Sequence, residues 1–175
     1  MKKIILMTTA VFLLSSCGND NKTVEETTTV PETTAPSIET PTVETTTTGE
    51  GQEVTLEIGG TDAMKYTKDE LRVPAGSTVT LTFHHEGKMP IETMGHNWVL
   101  LKPGTDIPNF AMDAMKEVDN NYLPQDTTKF IAATKMIGGG ESTTITFEAP
   151  EAGTYDFICT FPGHYGSMHG KFIVE

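Results

Sequence analysis

From about residue 51 onward the sequence predicts an all-β domain, a β-sandwich of short strands with one short helical insertion. Three observations carry this reading. Apolar and polar residues alternate with period two over several short runs. Turn signals built from Gly and Pro separate the runs. About 120 residues remain for two sheets around one core.

The first run starts at Glu53, where Val54, Leu56 and Ile58 alternate with polar residues. Pro74-Ala75-Gly76 marks a turn, and Ser77 to His84 alternates again through Val79, Leu81 and Phe83. His84 and His85 follow one another on this strand, so they should face opposite sides. Asn109 to Val118 breaks the pattern. It carries Phe110, Met112, Ala114 and Met115 among good helix formers and reads as a short helix. Gly138-Gly139-Gly140 leads into Thr143 to Glu148, with Ile145 and Phe147 alternating. Pro150-Glu151-Ala152-Gly153 leads into Tyr155 to Cys159, and Lys171 to Val174 closes the chain. No internal repeat is visible.

The first fifty residues are of another kind. Lys2 and Lys3 precede the apolar run Ile4 to Leu14, which is too short to span a bilayer and reads, over 1–16, as an export signal. Leu14-Ser15-Ser16-Cys17 resembles the lipobox of bacterial lipoproteins, which implies that Cys17 is lipidated and begins the mature chain. Acyl chains would then hold the protein at a membrane, each buried methylene contributing about 0.8 kcal/mol. Residues 17–50 therefore read as an anchor cysteine and a disordered tether rich in Thr and Glu, with Pro31, Pro36 and Pro41 spaced along it. Such a segment cannot bury enough apolar surface to offset its ordering entropy. Stretched, its roughly 34 residues would reach on the order of 110 Å.

Net charge is −12, shared between tether and domain. An acidic domain argues against nucleic acid as a partner and against docking on anionic lipid by charge alone. Only two cysteines occur, Cys17 and Cys159. With Cys17 lipidated, Cys159 stands alone in a disulfide-permissive compartment. A lone thiol there could be a buried inert residue, a dimer link, a catalytic nucleophile or a metal ligand. Its neighbours favour the last.

Those neighbours read Cys159-Thr160-Phe161-Pro162-Gly163-His164-Tyr165-Gly166-Ser167-Met168, on a loop leaving one strand and entering the next. Gly163 and Gly166 let the backbone curl, and Pro162 stiffens it. Upstream lies Gly95-His96-Asn97-Trp98. Together His96, Cys159 and His164 supply two imidazoles and one thiolate, and Met168 supplies a weak axial donor. Soft sulfur with imidazole in a three-plus-one set suits copper and one-electron chemistry. Taken singly, each ligand has a plain alternative: Met168 as packing, a histidine as a satisfied structural residue.

The segments Met94-Gly95-His96-Asn97-Trp98-Val99-Leu100 and Cys159-Thr160-Phe161-Pro162-Gly163-His164 resemble the azurins, blue-copper cupredoxins of bacterial electron transport. The similarity runs on through His85-Glu86-Gly87, Asn121-Tyr122-Leu123 and Ala132 to Gly138, and so covers nearly all of residues 53–175. The lipid-anchored layout is similar to that of the auracyanins. The resemblance implies an eight-stranded cupredoxin-like Greek-key sandwich with a helical flap over residues 51–175, one type 1 copper, and a weak contact from the Gly95 carbonyl opposite Met168. It also implies that Asn97 and Thr160 hydrogen-bond to fix the ligand loops. Two departures stand out: no cysteines remain for the disulfide usual in azurins, and Tyr165-Gly166-Ser167 replaces smaller, more apolar residues. Ala133 stands where many relatives carry a surface histidine.

The function expected is that of an electron carrier rather than an enzyme, since no His-x-His pair or second ligand set offers an open catalytic position. A copper chaperone or storage module is the main competing reading, but Met64, Met89, Met94 and Met112 are scattered. Electrons should pass through an edge of His164 reaching the surface, ringed by a docking patch of Met94, Met115, Phe161, Pro162 and Tyr165. Small interfaces of this kind suit brief encounters. Expected partners are redox proteins such as c-type cytochromes or copper or haem reductases and oxidases. The expected location is the cell envelope, as a periplasm-facing or outer-surface lipoprotein. His85 is expected to be a satisfied structural histidine, and His169 to be on the surface.

Overall fold

A computed structural model describes residues 51–175; the segments expected to be an export signal and a tether, and Cys17, lie outside the described residues. Among the described residues nine strand segments form two sheets. They are β1 (Glu53–Thr61), β2 (Lys65–Tyr66), β3 (Glu70–Val73), β4 (Thr78–His85), β5 (Val99–Leu101), β6 (Phe130–Ala133), β7 (Ser142–Glu148), β8 (Gly153–Ile158) and β9 (His169–Val174). One sheet runs β2-β1-β4-β7 and the other β3-β9-β8-β5-β6. The pairs β1/β4 and β3/β9 are parallel, and the remaining pairs are antiparallel. The count exceeds the expected eight because the two-residue β2 pairs with the end of β1, Gly60 opposite Tyr66.

Strand β4 shows why the alternation could be read. Val79, Leu81, Phe83 and His85 are buried, while the intervening threonines and His84 are not. The outward row is tied to β7 by Thr80–Thr146 and Thr82–Thr144 hydroxyl contacts at 3.3 and 3.1 Å, and by His84 Nδ1 to Ser142 Oγ at 2.8 Å. The inward row meets Leu71, Leu100, Phe157, Phe172 and Val174 of the opposing sheet in one core. Burying each large side chain there contributes about 1.5–3 kcal/mol.

Strand β5 carries no alternation because both of its faces are covered. Leu100 enters the main core, whereas Val99 and Leu101 join Phe110 and Ile158 in a second cluster on the far side of the sheet. The lid of that second cluster is α2 (Ile107–Ala114). The helix was expected at Asn109–Val118 and lies earlier. The Asp106 side chain accepts the Asn109 N–H at 2.9 Å, and Pro108 fits the first turn, where no N–H is needed. Beyond Ala114 the chain tightens into a single 3-10 turn at Val118–Asn120. A second short helix, α1 (Ile91–Met94), leads into Gly95.

Trp98, the one tryptophan, sits at the centre with no exposure, its ring 5.7 Å from Phe157 and 5.8 Å from Phe147. Among the described residues its Nε1–H has no hydrogen-bond partner. An indole without water or an acceptor should emit far to the blue of tryptophan in water, with resolved vibrational structure. Steady-state fluorescence of the metal-free protein checks this; a broad, red-shifted band would place water beside Trp98.

Candidate metal centre

Cys159 directly follows β8 and Met168 directly precedes β9, so the strand pair itself fixes the ends of the ligand loop. The loop is closed by its own backbone. Cys159 N–H donates to the Met168 carbonyl (3.0 Å), Met168 N–H to the His164 carbonyl (2.8 Å) and His164 N–H to the Phe161 carbonyl (3.0 Å). Gly163 turns the chain with φ +83°, a conformation that side chains with a Cβ rarely adopt. His96 enters from another part of the sandwich. Its backbone exchanges two hydrogen bonds with Ile137, at 3.0 and 2.9 Å.

The side chains converge. Cys159 Sγ lies 3.9 Å from His96 Nδ1 and 3.7 Å from His164 Nδ1, and the three donor atoms all fall within 4.8 Å of one another. All three residues are buried. His96 Nε2–H donates to the Thr61 carbonyl at 2.9 Å, which fixes the tautomer and leaves the Nδ1 lone pair facing the sulfur. Met168 is fully buried beside them, its Cε close to Gly60 together with His96 Cδ2. Asn97 ties the two ligand segments together. Its Nδ2–H donates to Thr160 Oγ1 (2.8 Å), and the Thr160 N–H donates to Asn97 Oδ1 (2.9 Å).

Burial sets the electrostatics. It pushes the Cys159 thiol up to about 12, against the backbone N–H groups of Asn97 and Phe161, which pull it down. It pushes His164 down to about 4, helped by His96 and His85. His96 is lowered as well, again chiefly by burial. The metal-free cluster is therefore neutral at pH 7: a thiol and two neutral imidazoles. A bound cation inverts this preference for the thiol, since coordination deprotonates it. One soft sulfur and two imidazole nitrogens, preset at this spacing, fit copper.

His85 is buried, as expected, with His84 on the opposite face. Its Nε2–H donates to the Met94 carbonyl (2.7 Å), and the Gly87 N–H donates to its Nδ1 (3.1 Å), so both nitrogens are satisfied in the neutral ring. That ring stacks on His96 at 4.3 Å. Gly95 must be glycine for packing, because a Cβ would stand 2.7 Å from the Ile91 carbonyl. The expected surface edge of His164 amounts to 3% of the residue, whereas Met115 is 43% exposed. Phe161 covers the imidazole at 4.6 Å, and Met94, Pro162 and Tyr165 are half-buried. Tyr165 also packs against the second core.

Residues the sequence reading passed over also build the site. The Thr61 carbonyl and the Gly60 backbone come from β1, and the Asp62 carboxylate accepts the Lys88 N–H at 2.9 Å and the Met89 N–H at 3.3 Å. Those two bonds help hold the Asp62 carboxyl below its ordinary range. Gly59-Gly60 inside a strand did carry a signal, since glycine there marks close backbone approach.

A two-sheet sandwich holding a buried His–Cys–His cluster beside a methionine defines a cupredoxin, a single-copper electron carrier rather than an enzyme. The family model for copper binding proteins of the plastocyanin/azurin family matches residues 52–175, and the chain belongs to that family. It is 41% identical over 127 residues to auracyanin-A of Chloroflexus aurantiacus, covering 70% of this chain and 75% of the relative. Azurin-1 of Alcaligenes xylosoxydans xylosoxydans is 38% identical over 123 residues, covering 67% of this chain and 95% of that one. Among solved structures, dithionite-reduced auracyanin from Roseiflexus castenholzii superposes with a TM-score of 0.64 at 41% identity, over 69% of this chain and 96% of the other.

Proposed function

We propose that this chain is a membrane-tethered type 1 copper protein that carries single electrons between redox proteins of a bacterial cell envelope. The observation that carries the reading is the convergence of Cys159 Sγ with the Nδ1 atoms of His96 and His164 in a buried, neutral pocket. Those three atoms would hold the copper, with the Met168 thioether and the Gly95 carbonyl as further weak donors. Copper supplies the one-electron couple. The chain's own part is to hold the donors still. Thr61 orients His96, the Asn97–Thr160 pair orients the cysteine loop, and Phe161 keeps water from His164.

Electron exchange then runs through His164 and its apolar surround of Met94, Met115, Phe161, Pro162 and Tyr165, with c-type cytochromes or copper or haem enzymes as partners. The tether reading rests on the leader and on Cys17. A Cys17→Ala variant is expected to move from the membrane fraction to the soluble envelope fraction; unchanged membrane association would remove the anchor.

Titrating Cu(II) into the metal-free domain tests the site. An intense blue charge-transfer band and a narrow copper hyperfine pattern are expected. Because the thiol alone holds a displaceable proton at pH 7, uptake should release about one proton per copper. Apparent affinity should then rise about tenfold per pH unit near neutrality. Release of two or three protons, read in unbuffered solution, would mean that the imidazoles are charged in the free protein. A colourless product would overturn the assignment.

A further inference from the structure

We infer that Tyr66 is a positioning residue for this centre: its hydroxyl holds the main chain of Asn97 and so sets the hydrogen bonding around Cys159. The inference deepens the copper reading above and rests on it for its spectroscopic consequence. The Tyr66 hydroxyl donates to the Asn97 carbonyl at 2.6 Å. Asn97 has no exposure, and among the described residues its carbonyl has no other hydrogen-bond partner. Every other grip on this segment is accounted for. His96 is paired to Ile137, and Trp98 to Thr134 through both its N–H and its carbonyl. The Asn97 side chain is spent on Thr160. Among the described residues, Tyr66 therefore supplies the only bond that fixes the peptide between Asn97 and Trp98 on its carbonyl side.

The tyrosine is itself well held. Its ring stands edge-on to Phe83 at 6.0 Å and to Phe157 at 5.2 Å. It sits opposite Gly60, whose neighbour Thr61 orients His96 and whose backbone lies against Met168. One short hairpin thus delivers three supports to the histidine side of the centre. Asn97 bonds the hydroxyl and the N–H of Thr160, the residue next to Cys159, so a looser Asn97 loosens the chain that presents the sulfur. Hydrogen bonding around a ligating sulfur tunes the potential of the metal it holds.

The test compares Tyr66→Phe with Tyr155→Phe. Tyr155 also donates one hydroxyl bond to a backbone carbonyl, that of Glu151 at 2.7 Å, and belongs to no part of the centre. In the metal-free protein, amide exchange at Asn97 and Thr160 is expected to quicken on the order of tenfold in Tyr66→Phe. In Tyr155→Phe it should stay at the wild-type rate. In the copper-loaded protein, Tyr66→Phe should shift the reduction potential and move the charge-transfer band, again with Tyr155→Phe unchanged. Unchanged exchange at Asn97, or equal changes in both variants, overturns the role of Tyr66. A wild-type protein that takes up no copper would instead overturn the copper reading, and the exchange measurement would still decide whether Tyr66 holds Asn97.

Discussion

Replacing Cys159 by serine is expected to abolish the blue band while leaving the fold in place. The serine hydroxyl is smaller than the thiol and can hydrogen-bond the facing imidazoles, so the pocket accepts it without a buried unpaired group. Its oxygen is a poor donor to soft copper and does not ionise under conditions where the thiol yields its proton to the metal. Outer-shell changes at metal sites cost roughly 10–100-fold in affinity, and loss of the thiolate should exceed that. Equilibrium dialysis against Cu(II) and the visible spectrum read both effects, with circular dichroism as the control for folding. A variant that remained blue would place the thiolate elsewhere than on the metal.

Asn97→Ala carries the next largest effect, this time on stability as well as on the metal. Truncation strands the Thr160 N–H and hydroxyl inside the protein, where both had one partner. A buried unsatisfied group costs about 1–3 kcal/mol, so a loss of about 2–4 kcal/mol is expected in urea unfolding of the metal-free domain. Copper should also dissociate about 10–100-fold faster, because the loop carrying Cys159 loses its tie to the segment carrying His96. A stability loss below about 1 kcal/mol would mean that water replaces the amide in that space.

What could be read in advance follows from which faces are wet. Strand β4 has one core face and one solvent face, so its period of two is written in its residues. Strand β5 is buried on both faces and reads only as Val99-Leu100-Leu101. Strand β2 is too short for any period to register, whereas β3 alternates over Glu70-Leu71-Arg72-Val73 and was legible but passed over. The helix was visible as an apolar cluster, but its start was set by the Asp106 cap rather than by the first periodic residue. At the centre, the donors carried by side chains were legible because thiol, imidazole and thioether are rare and conspicuous. The supports were not. Thr61 acts through a carbonyl that every residue possesses, and Gly60 acts by lacking a side chain. Tyr66 acts across 31 residues of chain, a separation that no local pattern reports.

The hydrogen bonds that orient the donors run from protein to protein, and none waits for an ion to complete it. A cage finished in advance cannot tell one metal from another by reshaping itself around the arrival. Zinc(II), which also takes sulfur and imidazole, should settle into the same frame and give a colourless, redox-silent copy of the protein. Discrimination is then left to the intrinsic preference of the donors for copper and to how much of each ion the surroundings supply.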